Sequence, residues 1–542
     1  MKTNYAAITA LTLIILLFSA CASKESNMPD TDKPVSVSGT RFIDGNGRQI
    51  LFNGINLVNK NPDEKYIYKN SDEIFKKFKL WGYNIVRLGI IWDGLEPDPG
   101  VYNEEYLKKI DKQIKYAEEN GIYVFLDMHQ DLYSVKYSDG APEWATLDEG
   151  KPHVTGAIWS DAYLISPAVQ TSWDNFWKNT PASDGVGLQD HYAKAWQHVA
   201  ERYAGNNTVI GYDMMNEPFL GTEVQQFMPV FFSAFADVMQ QETGKKYTVE
   251  EIAGIYSDQN LRYKALQLLG TKEKYSKVMD AVYDLNAKFE KEKLQPFYQK
   301  VADAIRKEDK DKILFFNHSY FCNSGVRTAL EPVKTADGKP DPLTAYAAHG
   351  YDLLVDTKNL ENSSDARLEM IFERINESGN RMNVPVLIGE WGALGADVPA
   401  MSDLAYKNLD LIEKYKFSNT YWAYYNGVEK RSWFKPLVRP YPALIAGELI
   451  SYSFKEKSGN FTCKWKETAD QTRSTRIFVP DMSKINIDKL VIMPQGNGVV
   501  LEPLDEGKSG YIIISPLGEN SERKIYFNID SDDRETISLT SA

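Results

Sequence analysis

From residue 37 to about 450 the chain repeats one pattern: a short, nearly continuous apolar run, then a longer amphipathic stretch. The apolar runs are ILFNGINL, NIVRLGI, IYVFLDMH, VIGYDMMNE, ILFFNHS, LTAYAAH, VPVLIGEW and NTYWAYYN. Runs of this kind read as strands of a parallel sheet whose outer face is covered. The stretches between them carry a helical period. They include residues 71–80, YNEEYLKKIDKQIKYAEENG (stopped at Gly121), DHYAKAWQHVAERYAG, 364–378 and 403–416. Helical patterns at about 223–242 and 264–308 lengthen the segment after the fourth strand, and PALIAGELISY reads as the closing helix. Eight such units predict an α/β protein, a (β/α)8 TIM barrel spanning 37–452.

Other stretches break the pattern. FIDGNGRQ carries two turn signals and predicts a hairpin before the first barrel strand. Residues 130–189 have no strong period and hold four Trp. Beyond residue 452 short alternating pieces such as TRSTRIFVP, KLVIMPQG and SGYIIISPLG predict a C-terminal antiparallel β-sandwich over 453–542. At the other end, Lys2 precedes the apolar run AAITALTLIILLFSA, too short for a permanent membrane span. Residues 1–21 read as an export signal, and Leu17–Cys21 resembles a bacterial lipobox in which Cys21 is lipidated. Residues 22–36 are polar and read as a flexible tether. The expectation is an exported lipoprotein held at an outer-membrane or cell-surface membrane face without spanning it.

The 542 residues exceed one ordinary core, as a barrel with a second domain requires. A net charge of -13 and no long basic block after residue 30 exclude nucleic acid as a partner. After Cys21 only Cys322 and Cys463 remain, too few for a disulfide scaffold or a zinc cluster, so both read as free buried thiols. No cofactor or metal is expected, and a monomer is the expected state.

In a barrel of this type chemistry sits at the carboxyl ends of the strands. Those ends supply Arg87, then Asp127, His129, Gln130 and Asp131, then Asn216 and Glu217, then His349 and Tyr351, then Glu390, and last Trp422. Polar groups at so many corresponding ends are hard to explain as packing, because burying them costs free energy unless they are paired. Two carboxylates, Glu217 and Glu390, far apart in sequence but each at a strand end, suggest a pair flanking one glycosidic bond. Glu217 reads as general acid and base, its pKa raised by the neighbouring carboxylate. Glu390 reads as nucleophile, with Arg87 and Tyr351 as its partners. Asn216 is placed to meet a sugar 2-hydroxyl, Lys60 and Asp131 to bind other hydroxyls, and Trp422 to stack on a ring. Trp144, Trp177 and Trp391 are weaker stacking candidates. His129 and His349 invite a metal reading, yet neither has a partner at metal-site spacing. Asn317, His318 and Ser319 lack a nucleophile-elbow context and are set aside.

The phrases GTRFIDGNGRQILFNGINLV, GYNIVRLGIIWDGLEP, YVFLDMHQDLYS, GAPEWA, GYDMMNEPFLG, AAHGYD, LIGEWG and YWAYYNG span about residues 39–427. Together they resemble glycoside hydrolase family 5, and within it the endoglycoceramidase branch. The resemblance implies Glu217 as acid and base and Glu390 as nucleophile. It implies Arg87, His129, Asn216, His349, Tyr351 and Trp422 around the sugar, with Lys60 and Asp131 as contacts of that branch. It implies metal-free cleavage of the β-bond between a glycan and ceramide, the substrate being a glycolipid or another β-glycoside. A β-glucosidase or glucanase on soluble glycans, a steryl glucosidase, a glycan-binding lipoprotein with an inactive barrel, and a structural envelope protein stay open as alternatives.

Overall fold

The computed structural model describes residues 33–495, 498–504 and 507–529. The export signal, Cys21 and the tether up to residue 32 lie outside them. Nineteen strands occur among the described residues, numbered in chain order. β1 (Ser36–Ser38), β2 (Arg41–Ile43) and β3 (Gln49–Ile50) come first. The barrel strands are β4 (Asn53–Leu57), β5 (Ile85–Ile91), β6 (Tyr123–His129), β7 (Val209–Asp213), β8 (Ile313–Phe316), β9 (Thr344–Gly350), β10 (Val386–Trp391) and β11 (Ser418–Tyr421). All eight neighbouring pairs are parallel, and β11 returns to β4 to close the ring.

Residues two apart on a strand share a face, and this alternation sorts the barrel interior by height. Phe52, Ile85, Phe125, Phe315 and Leu387 belong to one apolar layer at the amino ends of the strands. Phe125 and Phe315 meet there at 4.8 Å. Phe42, from β2, lies 5.2 Å from Phe52 and 6.0 Å from Phe315, so the N-terminal hairpin plugs the barrel floor. Two residues beyond Ile85, Phe125 and Phe315 the same face turns polar, with Arg87, Asp127 and Asn317. The floor is sealed by apolar packing and the opposite end is left for polar groups.

The segment after β7 is a broken series of helices: Val224–Thr243, Val249–Ser257, Gln259–Gln267, Lys272–Ala281, Tyr283–Phe289 and Gln295–Glu308. Caps explain the breaks. Thr248 and Glu251 form a capping box, and Asp258 and Thr271 each accept from backbone N–H groups that open the next helix. None of the described helices is long and apolar enough to cross a membrane.

The remaining strands are β12 (Tyr441–Ile445), β13 (Glu448–Lys455), β14 (Asn460–Glu467), β15 (Thr475–Val479), β16 (Val491–Met493), β17 (Val499–Pro503), β18 (Gly510–Ile514) and β19 (Ser521–Asn528). They form two antiparallel sheets, ordered β1-β2-β3-β12-β15-β18-β17 and β13-β14-β19-β16. PALIAGELISY is therefore two strands and not the expected helix. Gly447 separates them at φ +128, where a Cβ would sit 2.0 Å from the Lys466 carbonyl oxygen. Residue 452 lies inside β13, and the sheets begin earlier, at Tyr441. The N-terminal expectation also changes, because Val35 is buried against the barrel floor and Ser36 starts β1. Cys322 and Cys463 are free and buried.

Candidate active site

Arg87 organises the polar end of the barrel. Its Nε donates to Asp213 (2.8 Å), Nη1 to Glu390 Oε1 (2.7 Å) and Asn56 (3.1 Å), and Nη2 to Asp127 (2.8 Å) and Asn216 (2.9 Å). The guanidinium is fully buried and all of its donor nitrogens are engaged. Three carboxylates around one buried cation keep Arg87 firmly protonated despite burial.

Strand irregularity delivers both glutamates. The β9–β10 register shifts between Ile388 and Glu390, so Glu390 faces into the barrel where strict alternation would turn it away. Glu217 lies beyond β7 with φ +42, a left-handed conformation costly for a residue with a side chain. Asn317 accepts from the Glu217 backbone N–H (3.3 Å) and donates to Asp213 (2.8 Å), while Gln130 donates to the Asn216 carbonyl (2.8 Å). These bonds fix the strained turn.

His349 Nδ1 stands between the two carboxyls, 2.8 Å from Glu217 Oε1 and 3.5 Å from Glu390 Oε2. One oxygen of each carboxyl lies within 4.8 Å of the other. Tyr351 donates to Glu390 Oε2 (3.0 Å), and Asn323 donates to Glu217 Oε1 (2.6 Å). Burial, with Asp131 nearby, pushes Glu217 up to about 8. Burial also raises Glu390, but His349 and Arg87 oppose the shift. His349 is pushed down to about 4 by burial and is neutral. For His129 burial works the same way, yet the adjoining Asp127 carboxylate overcomes it and raises the imidazole to about 10.

The sugar-side candidates converge on one cleft. Lys60, His129, Asp131, Glu217, Tyr351, Glu390 and Trp422 all line a cavity of about 290 Å³. Arg87, Asn216 and His349 stand immediately behind it through the bonds above. Trp422 stacks on His129 (5.0 Å, 14°), and Lys60 Nζ sits 4.7 Å from the Trp422 ring while pairing with Asp131. The three weaker tryptophans face elsewhere: the indole N–H groups of Trp144, Trp177 and Trp391 donate to Glu96 O, Phe219 O and Asn419. Two trios come close enough to ligate a metal ion, His129–Asp131–Asp139 and Glu217–His349–Glu390. In the first, the Lys60 ammonium already pairs with Asp131 and lies 3.8 Å from Asp139, so a metal ion would meet its charge. In the second, Arg87 holds Glu390.

Sequence reading missed Asn56, Asp213 and Asn323. The first two could have been found as polar residues inside apolar strands. Asn323 lies in a turn after β8 with no such mark. Asn317 and His318, set aside earlier, sit behind Glu217.

The same cavity also has large apolar lining residues. Phe227, Met228 and Phe231 of helix Val224–Thr243 form one wall, joined by Tyr256 and Met279 from the helical insert and by Leu353 and Val355 after β9. Arg262, buried in the insert, donates to Asp161 (3.1 and 3.2 Å) and stacks on Tyr256 (4.2 Å). Asp161 also accepts from the backbone N–H groups of Ala157 and Ile158, so one ion pair ties the insert to the Ile158–Ser160 rim.

A parallel barrel with two close carboxyls at its carboxyl end is the layout of a glycosidase. The chain belongs to glycosyl hydrolase family 5: the cellulase profile of that family matches residues 43–427, and the family's C-terminal domain matches 439–500. It is 31% identical over 243 residues to an endoglycoceramidase of Cyanea nozakii, covering 39% of this chain and about half (47%) of that relative. It is 25% identical over 464 residues to endoglycoceramidase I of Rhodococcus hoagii (strain 103S), covering 83% and 80%. Endo-glycoceramidase II from Rhodococcus sp., solved as a ganglioside GM3 complex, superposes with a TM-score of 0.67 at 22% identity, over 91% of this chain and 100% of that one.

Proposed function

We propose that this glycoside hydrolase is a retaining, endo-acting β-glycosidase that cleaves the bond between the glycan and the ceramide of glycosphingolipids. The observation that carries this reading is the mixed lining of the cleft. The cavity that holds the glutamate pair is lined both by the polar sugar-side groups and by large apolar side chains such as Phe227, Met228 and Phe231. A glycan and a lipid meet at one bond, and a cavity with both kinds of wall suits them. The named relatives act on, or bind, molecules of this class.

The carboxyl spacing supports retention. Inverting pairs leave room for a water, at roughly 6.5–9.5 Å, whereas retaining pairs stand at roughly 5–5.5 Å. In the first step Glu390 attacks the anomeric carbon, and the glycosidic C–O bond breaks as Glu217 gives its proton to the departing oxygen. Ceramide leaves as a neutral alcohol. In the second step ionised Glu217 takes a proton from water, whose oxygen attacks the anomeric carbon and expels Glu390. Arg87 and Tyr351 stabilise Glu390 as a carboxylate when free. Asn216 keeps one amide proton for the sugar 2-hydroxyl, and His129 Nε2, buried 3.8 Å from Asp131 without a protein hydrogen bond, donates to another. Lys60 and Asp131 bind further hydroxyls beside the Trp422 ring.

The test incubates protein lacking residues 1–21 with detergent-dispersed lactosylceramide, glucosylceramide and galactosylceramide, following released glycan and lipid by mass spectrometry. Intact lactose together with ceramide is expected. Turnover of cellobiose-type or steryl glucosides alone overturns the lipid assignment.

A further inference from the structure

The turn that follows β8, unmarked in the sequence, reaches the Glu217 carboxyl. Its 3-10 segment Tyr320–Ser324 is closed by Gly325 at φ +97, and it presents Asn323 to Glu217 from 106 residues away in sequence. Asn323 is 6% exposed, and its two amide ends have different partners. Nδ2 lies 2.6 Å from Glu217 Oε1, and Oδ1 lies 2.9 Å from His318 Nε2. His318 Nδ1 in turn lies 2.5 Å from the Tyr346 hydroxyl.

The placement of the Asn323 amide sets the direction of this chain, with Nδ2 on Glu217 and Oδ1 on His318. Burial, with His349 nearby, pushes His318 down to about 3, so the ring is neutral and carries one proton. An amide oxygen facing Nε2 needs the ring proton there, and the Tyr346 phenol then donates to Nδ1. In this tautomer Nε2–H donates to Asn323 Oδ1 and forgoes the longer bond, at 3.3 Å, that the His349 backbone N–H offers the same nitrogen. The carboxamide N–H is left for Glu217. His349 adds a second donor. Its Nε2 is buried without a protein partner and faces the Gly389 backbone, so its proton sits on Nδ1 and points at Glu217 Oε1. An oxygen that accepts two N–H groups is a poor seat for a proton.

We propose that Asn323 is a positioning residue that keeps the acidic proton of Glu217 on Oε2, aimed into the cleft, and that His318 and Tyr346 lock the Asn323 amide in the orientation this requires. The proposal rests on Glu217 being the acid and base. It adds why this carboxyl presents one defined oxygen to the leaving group.

Asn323→Asp is nearly isosteric, lacks the amide N–H and, when ionised, cannot donate. With that donor gone, and a carboxyl in its place, the ionised form of Glu217 is less favoured. The other groups facing Glu217 are unchanged: Asp131, His129, Lys60, Arg87, His349 and Glu390, with the hydroxyls of Tyr163, Tyr320 and Tyr351. The alkaline limb of kcat/KM on lactosylceramide moves to higher pH, and the value at neutral pH falls on the order of 10²-fold, the scale of one general acid. kcat/KM on a dinitrophenyl β-lactoside, whose leaving group needs no proton, stays at the wild-type level. Tyr346→Phe shifts the limb in the same direction by less. Thermal melting confirms that each variant is folded. Equal loss on both substrates with an unmoved limb, or full activity on lactosylceramide, overturns the proposal. Glu217→Gln is run beside them: if it cleaves lactosylceramide normally, the acid and base assignment itself fails, independently of Asn323.

Discussion

Glu217 and Glu390 are both buried carboxyls, and their neighbours separate them. Glu390 receives Arg87 and Tyr351, two donors that favour its charge. Glu217 has no cation in contact and lies near Asp131, which favours its neutral form. The Glu217 charge in turn raises the Glu390 pKa. The sign follows from the role. Glu217 must be protonated to act as acid, and its proton is lost as pH rises through about 8. Activity on natural leaving groups is therefore expected to hold at neutral pH and fall above about pH 8. A kcat/KM still climbing beyond about pH 9 contradicts this assignment. Glu390→Gly is expected to lose on the order of 10⁴-fold or more in turnover, the upper range for a single acid–base or nucleophilic group. Azide restores product of inverted configuration, read by NMR of the glycosyl azide; an azide product of unchanged configuration refutes Glu390 as nucleophile.

At the scale of elements, the helical insert after β7 is joined to the cleft rim by Arg262 and Asp161. Both are nearly buried, so removing one leaves the other charge uncompensated, at a cost of about 3–5 kcal/mol locally. Arg262→Met is expected to loosen the Tyr256 and Met279 wall. The expected result is a loss of about tenfold in kcat/KM for long-chain ceramide substrates, equivalent to about 1.4 kcal/mol, with aryl lactosides unaffected. Equal loss on both substrate types would mean the pair serves the fold and not the lipid side. The insert was legible as helical from its period, but its breaks and its place beside the cleft were not. Those depend on caps and on an ion pair to a loop 101 residues away.

At the scale of the whole molecule, the described segments before and after the barrel build one sheet. β1–β3 precede the barrel and β12 follows it, and β3 pairs with β12. The same hairpin plugs the barrel floor through Phe42. Phe478 of β15 seals the other contact: its ring lies where a Cβ on Gly82 would be, at 2.3 Å. Barrel and sandwich are thus expected to unfold together. Phe478→Ala, at a fully buried position, is expected to cost about 3–5 kcal/mol and to lower a single calorimetric transition without changing kcat/KM at 25 °C. Two separate transitions, with the barrel's unmoved, would show that the sheet contact contributes nothing to barrel stability.

The sequence by itself determined the barrel and the polar rim. Strand and helix periods are local properties, and each of Arg87, His129, Asn216, His349 and Glu390 follows directly from an apolar run that ends at one height of the ring. It also marked Lys60, Asp131, Tyr351 and Trp422, which share the cleft. Tertiary structure decided what period cannot carry. PALIAGELISY became two strands because partners wait at Gln49–Ile50 and Thr475–Val479 for the first and at Asn460–Glu467 for the second, and an apolar run of that length satisfies either state. The inward turn of Glu390 came from a register shift against β9, and the strained φ of Glu217 from anchors just after β6 and after β8. Asn323 reached Glu217 only through the folding of its turn against His318 and Tyr346. These are long-range contacts, and a contact between distant residues leaves no period in the chain that makes it.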